Sequence, residues 1–180
     1  LRISNFPYIE KFTVQNSNAA LELPTGYVNA TSDSSGFFSD WLLTNTASST
    51  GNHGPTADHT SGVPGQGGYV FADDDGNHLA VNLLSPCFDL SGQVFPRMRF
   101  ALHSQSASAA SGSFSVDIIN YPSISLTTDL LGPIGHIGAS WAIQSIDLAA
   151  FSGQIVQFVF RANSFSSNST LHDFALDDVS

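Results

Sequence analysis

Apolar residues in this chain alternate with polar ones over short stretches that end at turn-forming residues. In residues 112–119, Phe114, Val116 and Ile118 share one parity, whereas Ser115 has the other. Alternate side chains lie on opposite faces of a β-strand, so this pattern predicts a strand with one buried face. Similar segments, each bounded by Gly, Pro, Asn, Asp or Ser, occur at residues 68–71, 78–84, 97–103, 141–148 and 155–162. Many short strands separated by turn signals predict an all-β sandwich or barrel.

Helical spacing of apolar residues does not extend beyond about two turns anywhere in the sequence. A short turn at residues 148–151 is the best helical candidate. Residues 44–68 are predicted to form a long, ordered or functional loop, and residues 104–113 a hairpin loop. The sequence has no evident repeat or composition shift, which predicts a single domain over residues 1–180.

The charge balance limits the possible partners. The chain has 15 acidic and 5 basic residues, a net charge of −10. Nucleic acids and anionic membranes are bound mainly through Lys and Arg, so neither is an expected partner. Acidic patches attract cations instead, which makes a divalent metal the natural complement.

The cysteine content and the first residues of the sequence bear on where the protein is located. Cys87 is the only cysteine, so an intrachain disulfide is excluded. No apolar run approaches the ~20 residues that span a bilayer, and the first seven residues lack the apolar core of a signal peptide. We expect the chain to be one part of a longer secreted or cell-surface protein.

Three stretches, read in order, resemble the MAM domain. They are Phe6-Pro-Tyr-Ile-Glu-Lys-Phe12, Gly54-Pro-Thr-Ala-Asp-His-Thr-Ser-Gly62 with Gly68-Tyr69 after it, and the closing Asp173-Phe-Ala-Leu-Asp-Asp-Val-Ser180. Further matches are Leu84-Ser-Pro86, residues 97–103, and Trp141 leading to Asp147-Leu-Ala-Ala-Phe151. The resemblance covers nearly the whole chain.

The resemblance implies a jelly-roll β-sandwich of two antiparallel sheets, with the first and last strands as neighbours. It also implies a non-catalytic extracellular module that mediates adhesion or association. The chain lacks the paired cysteines of animal members and has Leu102 where an aromatic residue usually precedes the histidine. These departures indicate a bacterial secreted or surface relative.

Glu10, Asp58 and Asp178 are the candidate ligands for a structural Ca²⁺, which binds six to eight oxygen atoms. The jelly-roll resemblance would bring the first strand, the long loop and the last strand to one edge. Alternation after Phe174 predicts that Asp178 points inward. Asp177, on the opposite face, is the second choice as a calcium ligand. The alternative is that these carboxylates cap turns or accept hydrogen bonds from loop N–H groups.

Other chemistry-bearing residues suggest simpler roles. The acidic run at residues 73–77 is predicted to form a solvated hairpin turn, because it lacks the spacing of an EF-hand. His53 and His59 lack the spacing of a zinc site, so we interpret His59 as a structural, hydrogen-bonded histidine. No nucleophile elbow or paired-carboxylate constellation is evident. We therefore expect no catalytic residues, no cofactor-binding residues and no enzyme activity.

The aromatic residues divide into a predicted core and one candidate for ligand contact. Tyr121, which precedes Pro122 after a strand, could stack on a sugar if it were exposed. The predicted core comprises Trp41, Trp141, Phe100, Phe114, Val116, Phe158, Phe160, Leu176 and Val179.

Two function hypotheses follow. The first is a module for association with an extracellular protein, and the second is a carbohydrate-binding accessory module of a secreted hydrolase or protease. Jelly rolls serve both roles, so the fold does not decide between them. An exposed row of aromatic residues would favour a glycan, whereas an apolar patch would favour a protein.

Overall fold

Two β-sheets packed face to face form the framework of the molecule. The computed structural model describes residues 1–14, 22–30, 40–47, 54–72, 81–106, 112–164 and 172–180. The first sheet has the order β1 (Arg2–Ile3), β5 (Val81–Asp89), β10 (Ile155–Ser164), β7 (Gly112–Tyr121) and β8 (Ser125–Ile134), with β2 (Val28–Asn29) also on β5. The second sheet has the order β3 (Trp41–Thr44), β4 (Tyr69–Ala72), β11 (His172–Asp177), β6 (Arg97–Ser106) and β9 (Gly138–Asp147). The predicted all-β jelly-roll sandwich is confirmed.

All six alternating segments overlap strands, namely β4, β5, β6, β7, β9 and β10. The pairing is antiparallel except between β1 and β5. A 3₁₀ turn at Ala149–Phe151 matches the predicted helical turn. The pattern missed β8, whose residues are largely exposed and which is interrupted by positive φ at Asp129 and Gly132. A strand at the edge of a sheet need not bury a face, so its sequence need not alternate.

The core lies between the sheets and is rich in phenylalanine. The rings of Phe100 and Phe160 meet edge to face at 5.8 Å, and Phe114 stacks on Phe160 at 6.4 Å. Such aromatic pairs stabilise the fold by more than the burial of their apolar area alone. All the predicted core residues are buried there except Trp141. That residue is only partly buried and packs on the outer face of the second sheet, so its assignment to the core was wrong.

The long loop before β4 explains the position of Trp141. The loop covers a second apolar cluster on the outer face of the second sheet, formed by Tyr69, Phe71 and Ala175 with Trp141 against it. Trp141 Nε1 donates to the carbonyl of Ala57 at 3.1 Å. These contacts hold the described part of the loop around Ala57 against the sheet. They also bury polar residues of both the loop and the sheet.

A register shift between β5 and β10 is stabilised by Ser85, which is fully buried. The N–H of Phe158 donates to Ser85 Oγ at 3.0 Å, and this hydroxyl donates to the carbonyl of Pro86 at 2.8 Å. Gln157 Nε2 donates to the carbonyl of Ser85 at 2.7 Å. Side chains therefore replace the ladder bonds that a bulge removes.

The two ends of the chain meet, though not as predicted. The N–H of Glu10 donates to the carbonyl of Val179 at 2.8 Å in an isolated bridge, whereas the first strand, β1, pairs with β5. The prediction that the first and last strands are neighbours was therefore wrong for the strands themselves. Among the described residues, no helix has the length and apolar character needed to cross a bilayer.

Candidate functional site

Three carboxylates and one imidazole gather where the long loop meets the end of β11. We call Asp58, His59, Asp177 and Asp178 the aspartate cluster. His59 Nδ1 lies 2.6 Å from Asp178 Oδ2, and the N–H of His59 donates to Asp177 Oδ2 at 2.8 Å. The hydroxyl of Thr60 donates to Asp178 Oδ1 at 2.6 Å. The loop is thus fastened to the last residues of the chain.

Asp58 is buried and organises the turn that follows it. Its Oδ2 accepts the N–H of Ser61 at 3.0 Å, and its Oδ1 accepts the Ser61 hydroxyl. Gly67, at φ +72°, lies so close to Asp58 that a Cβ there would overlap the carboxylate. Asp58 is therefore enclosed by its own loop, which matches the alternative that it accepts loop hydrogen bonds.

Asp177 has no exposed surface, and its carboxylate accepts the N–H groups of His59 and Asp178 at 2.8 and 2.7 Å. The pKa of Asp177 is raised to about 7, mainly by burial and also by the charges of Asp178 and Asp58, while the two hydrogen bonds act in the opposite direction. Desolvation disfavours the charged form of a carboxyl group, and like charges add to that cost. A bound cation would offset this cost of the charged carboxyl group.

Asp178 does not point into the core as the alternation predicted. Its φ of +51° breaks the strand pattern, and β11 ends at Asp177. Asp177 is fully buried because the second sheet is covered on its outer face too. The same left-handed residue restores an inward direction at Val179, which is 1% exposed. A non-glycine residue at positive φ needs surrounding contacts to hold it, and His59 and Thr60 supply them.

The Glu10 side chain is held by its own segment. Its Oε1 accepts the N–H of Phe12 at 2.9 Å, and its Oε2 lies 3.4 Å from the Tyr8 hydroxyl. Burial raises the pKa of Tyr8 to about 12, with a smaller contribution from the charge of Glu10. The backbone of Glu10 lies opposite Val179, one residue after Asp178.

The three predicted calcium ligands each have protein hydrogen-bond partners. In the described parts of the chain, no set of three or more His, Cys, Asp or Glu side chains is arranged to hold a metal ion. Carboxylate oxygens are ligands that Ca²⁺ prefers, but these three side chains are engaged in the hydrogen bonds described, so calcium binding at Glu10, Asp58 and Asp178 stays a prediction. His53 and the predicted turn at residues 73–77 lie outside the described residues.

A buried histidine accompanies the cluster on the same sheet face. The rings of His59 and His103 meet that of Trp141 at centroid distances of 6.1 and 5.6 Å. His103 is 2% exposed, and its Nδ1 has no hydrogen-bond partner. Burial lowers the pKa of His103 to about 4. No spacing in the sequence indicates this arrangement, because His59 and Asp178 are 119 residues apart.

Tyr121 lies on the outer face of the first sheet and is half-buried. Its hydroxyl donates to Gln157 Oε1 at 2.9 Å. On the same face, Arg161 Nη2 contacts Asp129 Oδ1 at 2.8 Å and Asp117 Oδ1 at 3.3 Å. This face therefore presents amide, carboxylate, guanidinium and phenol groups.

The relationships of the chain agree with this architecture. The family model for the MAM domain (meprin/A5/mu) matches residues 26–180. The chain belongs to the MAM domain family. No curated protein sequence matches this MAM domain.

Several solved structures are similar to this MAM domain in fold. The K1 cleaved adhesin domain of Lys-gingipain from Porphyromonas gingivalis W83 is 20% identical with a TM-score of 0.54, covering 96% of this chain and 95% of that one. The K2 cleaved adhesin domain is 15% identical with a TM-score of 0.59 and the same coverage. TmCBM61, solved with β-1,4-galactotriose, is 11% identical with a TM-score of 0.54 over 86% of each chain. MAM family membership and the jelly-roll fold together indicate an extracellular binding module.

Proposed function

We propose that this MAM domain is a non-catalytic module that attaches its parent protein to other extracellular proteins. The observation that carries the proposal is the chemistry of its exposed apolar residues. They are aliphatic apart from Phe95, in the described part of the chain: Leu1, Ile9, Val28, Leu42, Val63, Val94, Ile124, Leu126, Ile137 and Ile143. Glycan platforms use exposed aromatic rings, yet none of the four tyrosines and two tryptophans is exposed.

The most prominent exposed pair is Val94 and Phe95, which are 72% and 84% exposed in the loop between β5 and β6. The loop is held by backbone bonds, including Leu90 N–H to the carbonyl of Gln154 at 2.8 Å. Leu90 and Arg97, at the two ends of the loop, line a small apolar pocket with Phe6, Tyr8, Phe88, Met98, Leu148, Phe158, Val179 and Ser180. An ordered apolar tip beside such a pocket suits a protein partner.

The test measures binding of the chain to an immobilised panel of secreted and surface proteins and to a glycan array. We expect saturable binding to a protein, unchanged after that protein is deglycosylated and weakened about tenfold by Phe95→Ser. Leu42→Ser, which removes an exposed apolar side chain elsewhere, on β3, is the matched control and should bind normally. Binding to glycans alone would overturn the proposal.

A glycan is the second candidate partner, and a specific observation favours it. Asn82 and Arg161 are paired across β5 and β10, and both face outward. Asn82 Oδ1 and Arg161 Nε are buried without a hydrogen-bond partner. Sugar hydroxyls could satisfy such groups. If this candidate is correct, Tyr121→Ala and Asn82→Ala should reduce binding to an array of neutral glycans, whereas Phe95→Ser should not.

We also propose that Ca²⁺ stabilises the module through Glu10, Asp58 and Asp178. The support is electrostatic, because the fully buried Asp177 lies beside two other aspartates in a chain of net charge −10. Bound calcium would supply positive charge that offsets this repulsion. The melting experiment that tests it is given in the Discussion.

A further inference from the structure

Two of the edge strands, β8 and β3, are protected against pairing with another strand. On β8, Asp129 and Gly132 have φ of +52° and +112°, Pro133 has no N–H, and the register to β7 shifts twice. On β3, the side chain of Asn29 contacts both backbone groups of Trp41 at 2.9 and 3.0 Å. Positive φ, proline and side-chain caps are ways in which proteins prevent edge pairing.

The edge formed by β9 has such features only at its start, where Gly138 has φ of +116° and the register to β6 shifts between Leu102 and Ser104. The strand is ten residues long, and between Gly138 and Asp147 it contains no proline, lysine or arginine. Ile143, near its middle, is 47% exposed. A long edge whose single charge lies at its last residue, with an exposed β-branched residue near its middle, is a template for another strand.

The register shows which backbone groups of β9 are free. Arg99 exchanges two hydrogen bonds with Ser180, of 2.7 and 2.8 Å, so both of its backbone groups point away from β9. Its partner across the ladder, Ser145, must then direct its own N–H and C=O away from β6. Because these directions alternate along a strand, the N–H and C=O groups of Ile143 and Trp141 also point away from β6. In the described chain, no backbone group bonds to these outward groups.

We propose that β9 pairs with β9 of a second copy of this chain, antiparallel about a two-fold axis at Ile143. In this register Ile143 lies opposite Ile143 of the second copy, and Trp141 lies opposite Ser145. Each of the three residue pairs exchanges two hydrogen bonds, because all their backbone groups already point outward. The result is a continuous sheet across both copies with an isologous interface.

The charges on β9 itself are compatible with this dimer, whereas the net charges of the two copies oppose their association. The only charged residue of β9 is Asp147, which would lie opposite Ala139, so no like charges face each other. The net charge of −10 on each copy repels the other through solvent. Salt screens such repulsion within about 8 Å at physiological ionic strength, so the dimer should strengthen as salt rises.

This inference rests on the proposed protein-association function and specifies a partner for it. The experiment combines sedimentation velocity from ~1 μM to ~1 mM protein, at low and high NaCl, with residue-level amide exchange. We expect a dimer that grows with protein concentration and with salt. The amides of Trp141, Ile143 and Ser145 should become protected as it forms, whereas those of Ala142 and Gln144 should be protected throughout.

Two variants sharpen the test. Ile143→Lys places like charges opposite each other on the two-fold axis, and we expect it to weaken the dimer about tenfold or more. Thr128→Lys adds the same charge to the exposed edge strand of the other sheet and should dimerise like the wild type. A monomer at every concentration, a dimer insensitive to Ile143→Lys, or unprotected outward amides in a dimer would each overturn the inference. Binding through Phe95 is measured separately, so failure here is distinguishable from failure of the proposed function.

Discussion

Nδ1 of His59 lies 2.6 Å from Oδ2 of Asp178, and this contact fastens the long loop to the end of the last strand. The same carboxylate lies beside the buried Asp177, whose pKa it helps to raise. Asp178 therefore has two opposing effects on stability. It fixes the loop through His59 and Thr60, and it places a negative charge next to another carboxyl group.

The first prediction concerns calcium. We expect Ca²⁺ to raise the melting temperature of the wild type and a chelator to lower it, because a ligand that binds only the native state adds about 2.7 kcal/mol at a hundred times its Kd. Asp178→Asn should lose this response, yet partly recover stability in chelator because repulsion on Asp177 is relieved. Scanning calorimetry and calcium titration calorimetry measure both effects. Asp40→Asn, an exposed carboxylate elsewhere, should respond like the wild type, and equal melting of the wild type in both buffers with no heat of binding would contradict the prediction.

The second prediction concerns pH. His103 has its pKa lowered from 6.5 to about 4, so its contribution to stability is lost as pH falls through that range. Asp177 has its pKa raised from 3.8 to about 7, so its contribution is present at low pH and lost as pH rises. The two slopes are opposite between about pH 4 and 6.5 and should largely cancel in the wild type, since each approaches about 1.4 kcal/mol per pH unit.

Single variants should reveal each slope in urea unfolding with chelator present. Asp177→Asn leaves the histidine, so its stability should rise with pH from 4 to 6.5. His103→Gln leaves the aspartate, so its stability should fall over the same range. Only the slopes are compared, since each variant also changes absolute stability. Identical slopes in both variants would show that these residues do not titrate as described.

The third prediction concerns the close approach of Gly68 to the first segment. A Cβ at Gly68 would overlap the carbonyl oxygen of Phe12, a buried residue at φ +49°. Gly68→Ala should destabilise the chain by about 1–3 kcal/mol, because backbone must move to admit the methyl group. Gly135→Ala is the matched control, since a Cβ there meets nothing within 4 Å. Equal unfolding midpoints for the two variants would refute the close contact.

The fourth prediction concerns Ser85 at the bulge. Ser85→Ala removes the acceptor of the Phe158 N–H in a fully buried place, and we expect a loss of about 1–3 kcal/mol in the free energy of unfolding. Ser85→Thr retains the hydroxyl and should lose less than Ser85→Ala if the added methyl group is accommodated. Ser145→Ala, on an exposed residue of β9, should change stability little. Chemical denaturation of the three variants measures the difference, and a wild-type midpoint for Ser85→Ala would be the contrary result.

The sequence predicted best what depends on burial of one strand face. Phe114, Val116 and Ile118 alternate because β7 buries one face, whereas β8 was missed because an edge strand has no such requirement. Asp178 was misplaced because alternation assumes an extended backbone, and its positive φ ends that regularity. The contact between His59 and Asp178 depends on a strand order that brings the ends of the chain together, which local spacing does not encode.

The two tryptophans lie on the two edge strands of one sheet but on opposite faces. Trp41 is buried in the phenylalanine core, whereas Trp141 lies under the loop between His59 and His103. The chain therefore has two tryptophan fluorophores in different surroundings. Replacing either with phenylalanine would leave an emission signal for one region alone, so loosening of the loop and collapse of the sandwich can be followed as separate optical events.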